Sequence, residues 1–254
     1  MPNIVDVVFL TLITVVATVL ETLVFFPRFK ADVAAGVPGA RRNGYRRAVI
    51  GQWVFAAVCL ALWVRAGRAW SALGVAPQGR VRLIIGLTLG AIALYLTVRQ
   101  VRGIRRLTPE KLEEVRPKLA YVEFILPHTR AEYRWFMFLS FTAGFCEELL
   151  YRGYLFWVVG AYIGLPGAIA AGVLLFALGH AYQGKRGIVR TGLAGLAMSL
   201  VYVASGWLLP GMVIHALVDA SAGILSFRVF NRDPRSGEVG GSAPGDRLMT
   251  AAEG

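Results

Sequence analysis

The chain is poor in charged residues and in cysteine, and each shortage excludes a class of protein. Only 17% of its 254 residues are charged, whereas 56% are hydrophobic and the mean hydropathy is +0.59. This composition is too apolar for a soluble domain and is typical of a polytopic membrane protein. The two cysteines, Cys59 and Cys146, lie in apolar runs, so we expect buried thiols and neither a disulfide framework nor a zinc-finger spacing.

Acidic residues are also scarce: 15 Asp and Glu stand against 27 Lys and Arg, which gives a net charge of +12. A nucleic-acid partner is not predicted, because the basic residues lie in short connectors between apolar runs, as the positive-inside rule requires of cytoplasmic loops. One alternate set of connectors, counted with the C-terminal tail, carries 22 Lys and Arg, and the other set carries four. We therefore expect an integral protein of the plasma (inner) membrane, with its N-terminus outside and its C-terminus in the cytoplasm.

The apolar runs predict an all-α, polytopic transmembrane helical bundle of about seven spans. The first, residues 4–26, lacks the basic start and the small-residue cleavage site of a signal peptide, so we expect it to remain in the mature protein. The others are predicted at 48–64, 81–98, 134–159 and 167–183, in a glycine-rich run that ends near 208, and from 210 to about 230.

The connectors complete the organisation. Thr108, Pro109 and Glu110 form a helix start, and 109–125 is predicted to be an interfacial amphipathic helix on the membrane surface. We divide the chain into N-terminal transmembrane helices (1–107), a cytoplasmic amphipathic connector (108–133), a helical core (134–230) and a disordered tail (231–254) that is rich in Gly, Ser and Pro.

Three ionisable residues interrupt the fourth apolar run: Glu147, Glu148 and Arg152. A charge at membrane depth costs at least ~2.5 kcal/mol, so each needs a partner, water or a functional role. Glu148 and Arg152 are four residues apart, which predicts a salt bridge on one helix face, whereas Glu147 points about 100° away. Glu147 must find a partner elsewhere, hold a water molecule or be protonated, and a spare buried carboxylate can act as a general base.

Two later spans also carry deep ionisable groups. His180 ends the fifth span, and His215 and Asp219 lie one helical turn apart in the seventh. We expect these residues to share one interior cavity with the Glu-Glu stretch, either as a functional site or as a self-neutralising network that clamps the helices. Glu, His and Asp are also ligands for zinc or iron, although no His-Glu-x-x-His motif is present.

Three other polar residues are interpreted as structural. Asp6 lies near the end of the first span and can reach the membrane interface, whereas Glu21 lies deeper and is expected to face other helices. Because no second ionisable residue accompanies Glu21, it is interpreted as structural or pathway-lining rather than catalytic. His128 follows Pro127 in a connector and is predicted to be an exposed loop histidine.

Three motifs resemble the CAAX prenyl endopeptidase group of intramembrane proteases, also called CPBP or Abi proteins. They are Glu-Glu-x-x-x-Arg at 147–152, Phe-x-x-x-His at 176–180 and His-x-x-x-Asn/Asp at 215–219, in that order on separate apolar helices. The resemblance covers about 134–230 and implies that this part is a CPBP-like catalytic core. It implies an endopeptidase that hydrolyses a membrane-associated or lipidated protein or peptide, in contact with membrane lipid.

The resemblance also implies a role for each motif residue. Glu147 would be the general base for a water molecule, and His180 would orient that water or bind a metal. Glu148 and Arg152 would hold the geometry of the site, and His215 would stabilise the oxyanion together with position 219.

Position 219 departs from the family pattern. The best-understood members have Asn there, whereas an ionised Asp219 only accepts hydrogen bonds, so it would orient His215, stay protonated or ligate a metal. Family members have been described both as metalloproteases and as metal-independent glutamate proteases. The cofactor prediction is therefore either none or a divalent metal such as zinc, held by Glu147, His180, His215 and Asp219.

Other functions compete with proteolysis. One is a non-catalytic membrane scaffold or bacteriocin-immunity-type protein that uses the polar cluster for packing. A transporter is disfavoured, because neither paired repeats nor broken helices are evident.

A plain up-and-down bundle would place His180 and His215 near opposite ends of their helices. If they share a cytoplasm-facing cavity with Glu147, the histidines must lie within ~12 Å, through a short or tilted sixth helix or a seventh that begins deep in the protein.

Overall fold

The computed structural model describes residues 1–231, and that part of the chain contains helices, turns and connectors without a strand. Its helices are α1 (Ile4–Ala34), α2 (Ala40–Arg65), α3 (Arg80–Arg105), the short α4 (Pro109–Leu119), a 50-residue helix Arg130–Gly179, α7 (Gly184–Ser205) and α8 (Leu208–Phe230). Within residues 1–231, six helices are long and apolar enough to cross a membrane, with the 50-residue helix counted once. The predicted all-α polytopic bundle is confirmed. The predicted disordered tail lies outside the described residues except for Asn231.

The 50-residue helix is interrupted between its two apolar halves. Ile163 and Gly164 leave helical geometry, with a φ of +72° at Gly164, and Pro166 follows two residues later. A positive φ is easy only for glycine, and proline cannot continue a regular helix, so the break follows from the local sequence. It divides the helix into α5 (130–162) and α6 (165–179), which correspond to the fourth and fifth predicted spans.

The stretch 27–47, which separates the first two predicted spans and is expected from the sequence to be a loop, is mostly helical. The first helix continues to Ala34 and the second begins at Ala40. A π-helical turn, Glu21–Phe25, ends two residues before Pro27, whose ring does not fit a regular turn of α-helix. Arg and Lys are good helix formers, so the helices extend beyond the apolar runs by which the sequence defines spans.

The connector before α5 packs on the end of α8. The predicted start of α4 is confirmed, since the Thr108 hydroxyl accepts from the Lys111 amide at 3.5 Å, and a 3-10 turn, Ala120–Ile125, follows. Apolar side chains of this connector pack in one cluster with Phe230. The prediction of an exposed His128 was wrong: its side chain is 16% exposed and stacks on the Phe230 ring at 4.8 Å.

Two acids of α1 have arginine partners that the sequence did not reveal. Asp6 is 1% exposed, and it accepts two hydrogen bonds from Arg68, at 2.7 and 2.6 Å, and one from the Tyr154 hydroxyl at 2.7 Å. Glu21 is paired with Arg47 of α2 at 2.9 and 3.0 Å. Because Tyr154 belongs to α5, the Asp6 network fixes the start of α1 against the helix that carries the two adjacent glutamates.

Helices α5 and α8 approach closely at Gly144, where a Cβ would lie 2.7 Å from the carbonyl oxygen of Met212. The start of α8 is buried: Leu208 is 3% exposed, and its amide donates to the Gly74 carbonyl at 2.8 Å. The seventh membrane helix thus begins inside the protein, beside the 3-10 turn Trp70–Leu73. This burial carries His215, about two turns into α8, to the depth of the glutamates on α5.

Candidate active site

The regular part of α5 ends at Glu148, and a π-helical turn, Leu149–Leu155, follows. Single π-turns are rare within α-helices and occur frequently at functional sites. The salt bridge predicted from the sequence is present: Arg152 Nη1 donates to Glu148 Oε1 at 2.9 Å, and both side chains are 1% exposed. The pair is therefore removed from solvent and neutralises itself within the bundle.

Arg152 also joins three helices. Its Nη2 donates to the Gly195 carbonyl on α7 at 2.7 Å, and its guanidinium lies 4.6 Å from the centre of the Phe176 ring on α6. A Cβ at Gly195 would come within 3.1 Å of Phe176 and 3.4 Å of Arg152. The glycine is thus needed for this close approach, and Arg152 holds α5, α6 and α7 in register.

His215 stands among three carboxylates. Its Nδ1 lies 3.0 Å from Glu148 Oε1, and because an ionised carboxylate only accepts, Nδ1 is the donor. Its other nitrogen, Nε2, lies 3.9 Å from Glu147 Oε2 and 3.7 Å from Asp219 Oδ2. A proton on Nε2 is therefore directed into the space between Glu147 and Asp219.

His180 has a fixed tautomer. Its Nδ1 lies 2.8 Å from the carbonyl oxygen of Phe176, one turn earlier on the same helix. A carbonyl only accepts, so Nδ1 carries the proton, and Nε2 of the neutral ring keeps its lone pair. Nε2 is thus available as an acceptor.

Phe176 brings the two histidines together. The centre of its ring lies 4.9 Å from that of His180 and 5.9 Å from that of His215. The imidazoles are therefore separated by no more than the sum of these distances, which is inside the limit of ~12 Å set for a shared water. Both histidines were candidates from the sequence, and the structure shows that the Phe176 ring contacts both of them.

Glu147 is held by a residue that the sequence did not single out. Gln52 Nε2, on α2, donates to Glu147 Oε1 at 2.9 Å. The second oxygen, Oε2, is buried and makes no hydrogen bond within residues 1–231. Gln52 is a single neutral amide in an apolar run, so neither charge nor hydropathy distinguishes it in the sequence. Glu147 thus keeps one buried oxygen free to accept a proton.

Exposure increases steadily across the cluster. The side chains of Glu148 and Arg152 are 1% exposed, those of His215 and Glu147 are 11% and 16% exposed, and that of Asp219 is 39% exposed. The site therefore opens on the Asp219 side.

Two surface cavities of the protein are lined by other residues, one beside Asp6 and one beside Lys185. The cytoplasm-facing cavity that the sequence predicts at the site stays a prediction.

The candidate metal ligands predicted from the sequence are Glu147, His180, His215 and Asp219. Within the described residues, no group of three or more His, Cys, Asp or Glu side chains is arranged to hold an ion. Nδ1 of each histidine is bound to a protein oxygen, as is usual for a metal-ligating histidine, and His215 Nε2 faces two carboxylates. The choice between no cofactor and a divalent metal therefore stays a prediction.

The comparison with protein families agrees with the motifs. Residues 129–221 match the family model described as type II CAAX prenyl endopeptidase, Rce1-like. The matched stretch contains all three motifs and leaves α1, α2 and α3 outside. No curated protein and no solved structure shows a significant match to the chain. The family resemblance inferred from the three motifs is confirmed for the core.

Proposed function

We propose, from the premise that residues 129–221 form a type II CAAX prenyl endopeptidase Rce1-like domain, that this membrane protein is an intramembrane endopeptidase. The observation that carries the proposal is the state of Glu147. Its carboxylate is fixed by Gln52 through one oxygen, while the other is buried and without a hydrogen bond in the described part of the chain. An oxygen in this state can take a proton from a water molecule.

Hydrolysis would begin with a water molecule between Glu147 Oε2 and His180 Nε2, each accepting one of its hydrogens. The water oxygen attacks the carbonyl carbon of the scissile peptide bond, and its proton passes to Glu147. Glu147 then gives this proton to the leaving nitrogen as the C–N bond breaks, so that the products are a carboxylic acid and an amine. His180 acts by orientation, since its Nδ1 is bound to the Phe176 carbonyl.

His215 would stabilise the negative oxygen of the tetrahedral intermediate. Its Nδ1 is bound to Glu148, so a proton on Nε2 points toward the space between Glu147 and Asp219. A fixed donor aimed at a developing oxyanion is among the largest contributions to such reactions. Asp219 Oδ2, 3.7 Å away, supports the charged imidazole, which favours the orienting role over those of oxyanion donor or metal ligand.

The substrate would be a membrane-associated or lipidated protein or peptide. It would enter on the Asp219 side, where the cluster is most exposed. The basic connectors favour an N-terminus outside and a C-terminus in the cytoplasm, in the plasma (inner) membrane.

The competing function is a membrane scaffold or immunity-type protein that uses the same polar cluster for packing. The test measures both peptide cleavage and unfolding of the purified protein in lipid for Glu147→Gln and His180→Ala. A protease loses cleavage and keeps its stability, because neither variant leaves a charge without its partner. Glu113→Gln, at an exposed pair on α4, is the control for both measurements. A loss of stability without any Glu147-dependent cleavage would favour the scaffold.

A further inference from the structure

Gln52 lies on α2, outside the segment that matches the family, and contacts Glu147 across 95 positions of sequence. The next residue, Trp53, donates from its indole nitrogen to the Thr142 hydroxyl at 3.2 Å. Both hydrogen bonds join α2 to α5, but only the Gln52 bond reaches a residue of the proposed mechanism. Trp53 thus makes a contact that packs the two helices, whereas Gln52 makes a contact with the proposed general base.

The orientation of the Gln52 amide follows from its partner. A carboxylate only accepts, so the NH2 group faces Glu147 and the amide oxygen Oε1 points away. That oxygen is buried and makes no hydrogen bond to the described residues, as is true of Glu147 Oε2. Two buried acceptors on bonded side chains are unfavourable unless a donor reaches them, and such unsatisfied groups are rare in folded proteins. Their coincidence beside the general base indicates that a donor joins the site during function.

We propose that Gln52 is a positioning residue for the hydrolysis, a role that rests on the proposed function. Its Nε2 fixes one oxygen of Glu147, so that the carboxylate cannot rotate and Oε2 stays directed toward His215. Its Oε1 accepts a hydrogen bond from a water molecule that enters the site. The catalytic unit thereby extends beyond the matched segment to α2.

The kinetic test compares Gln52→Met with Trp53→Phe in full-length protein in lipid vesicles, on a membrane peptide whose cleavage depends on Glu147. Methionine keeps the length of glutamine without its polar atoms. We expect kcat to fall about 10- to 100-fold with KM nearly unchanged, as for loss of one hydrogen bond to a charged group. Trp53→Phe should keep kcat. Gln52→Glu, which sets an acceptor against an acceptor, should be as impaired as Gln52→Met although it conserves size.

A spectroscopic arm needs no activity and separates this inference from the proposed function. The infrared band of Glu147 is identified as the band lost in Glu147→Gln, with the protein in phosphatidylethanolamine and phosphatidylglycerol vesicles. That band should shift in Gln52→Met and stay in place in Trp53→Phe. An unchanged band, or an unchanged kcat while Glu147→Gln is inactive, would overturn the role of Gln52 alone. Cleavage that persists in Glu147→Gln would instead overturn the proposed function.

Discussion

Replacing Glu148 with glutamine should destabilise the protein far more than the same replacement at an exposed pair. Glu148 and Arg152 are 1% exposed, and Glu148 Oε1 accepts both from Arg152 at 2.9 Å and from His215 at 3.0 Å. Glu148→Gln leaves the guanidinium buried without its counter-charge, a change that costs about 3 to 5 kcal/mol. Glu113, 66% exposed and paired with Arg116, should cost about 1 kcal/mol or less when replaced in the same way.

The measurement is the free energy of unfolding in mixed micelles titrated with sodium dodecyl sulfate, for the wild type and both variants. Replacing Arg152 with methionine as well should recover part of the loss, since removing both charges of a buried pair is often nearly neutral. If Glu148→Gln and Glu113→Gln lower the free energy equally, the buried pair does not exist in the folded protein, and the division of roles between Glu147 and Glu148 fails with it.

Two further predictions concern helix approach and metal. Gly144→Ala should cost about 1 to 3 kcal/mol of stability, because its Cβ meets the Met212 carbonyl oxygen at 2.7 Å and forces α5 from α8; Gly51→Ala, which meets nothing within 4 Å, is the control, and equal effects would contradict the close packing. The proposed mechanism activates water with Glu147 and His180 alone, so cleavage should survive dialysis against a chelator that leaves less than one metal ion per protein; loss of cleavage that zinc restores would contradict this mechanism.

The sequence predicted contacts that depend on spacing along one helix. The four-residue interval between Glu148 and Arg152 predicted their salt bridge, and it forms despite the π-turn that begins just after Glu148. The hydrogen bond between His180 and the Phe176 carbonyl also follows from a four-residue interval. That interval was visible in the Phe-x-x-x-His motif and could have been used to assign the tautomer.

Contacts between distant helices were less accessible from the sequence. Convergence of His180 and His215 required α8 to begin beside the Gly74 carbonyl, and no local pattern encodes how deep a helix starts. The pairing of Asp6 with Arg68 was not predicted, because hydropathy reports depth along one helix and contains no information on partners from other parts of the chain. Gln52 was missed for a different reason: an uncharged polar side chain barely alters the hydropathy of its run.

The most direct test of the central claim, that Glu147 is the general base of a membrane protease, is a quantitative comparison of C-terminal peptides in membranes. One set of cells carries the wild type and the other carries Glu147→Gln at equal protein levels. If Glu147 is the general base, particular membrane proteins keep uncleaved C-terminal segments only in the Glu147→Gln cells. Identical peptide populations, with both proteins folded and present in equal amounts, would contradict it.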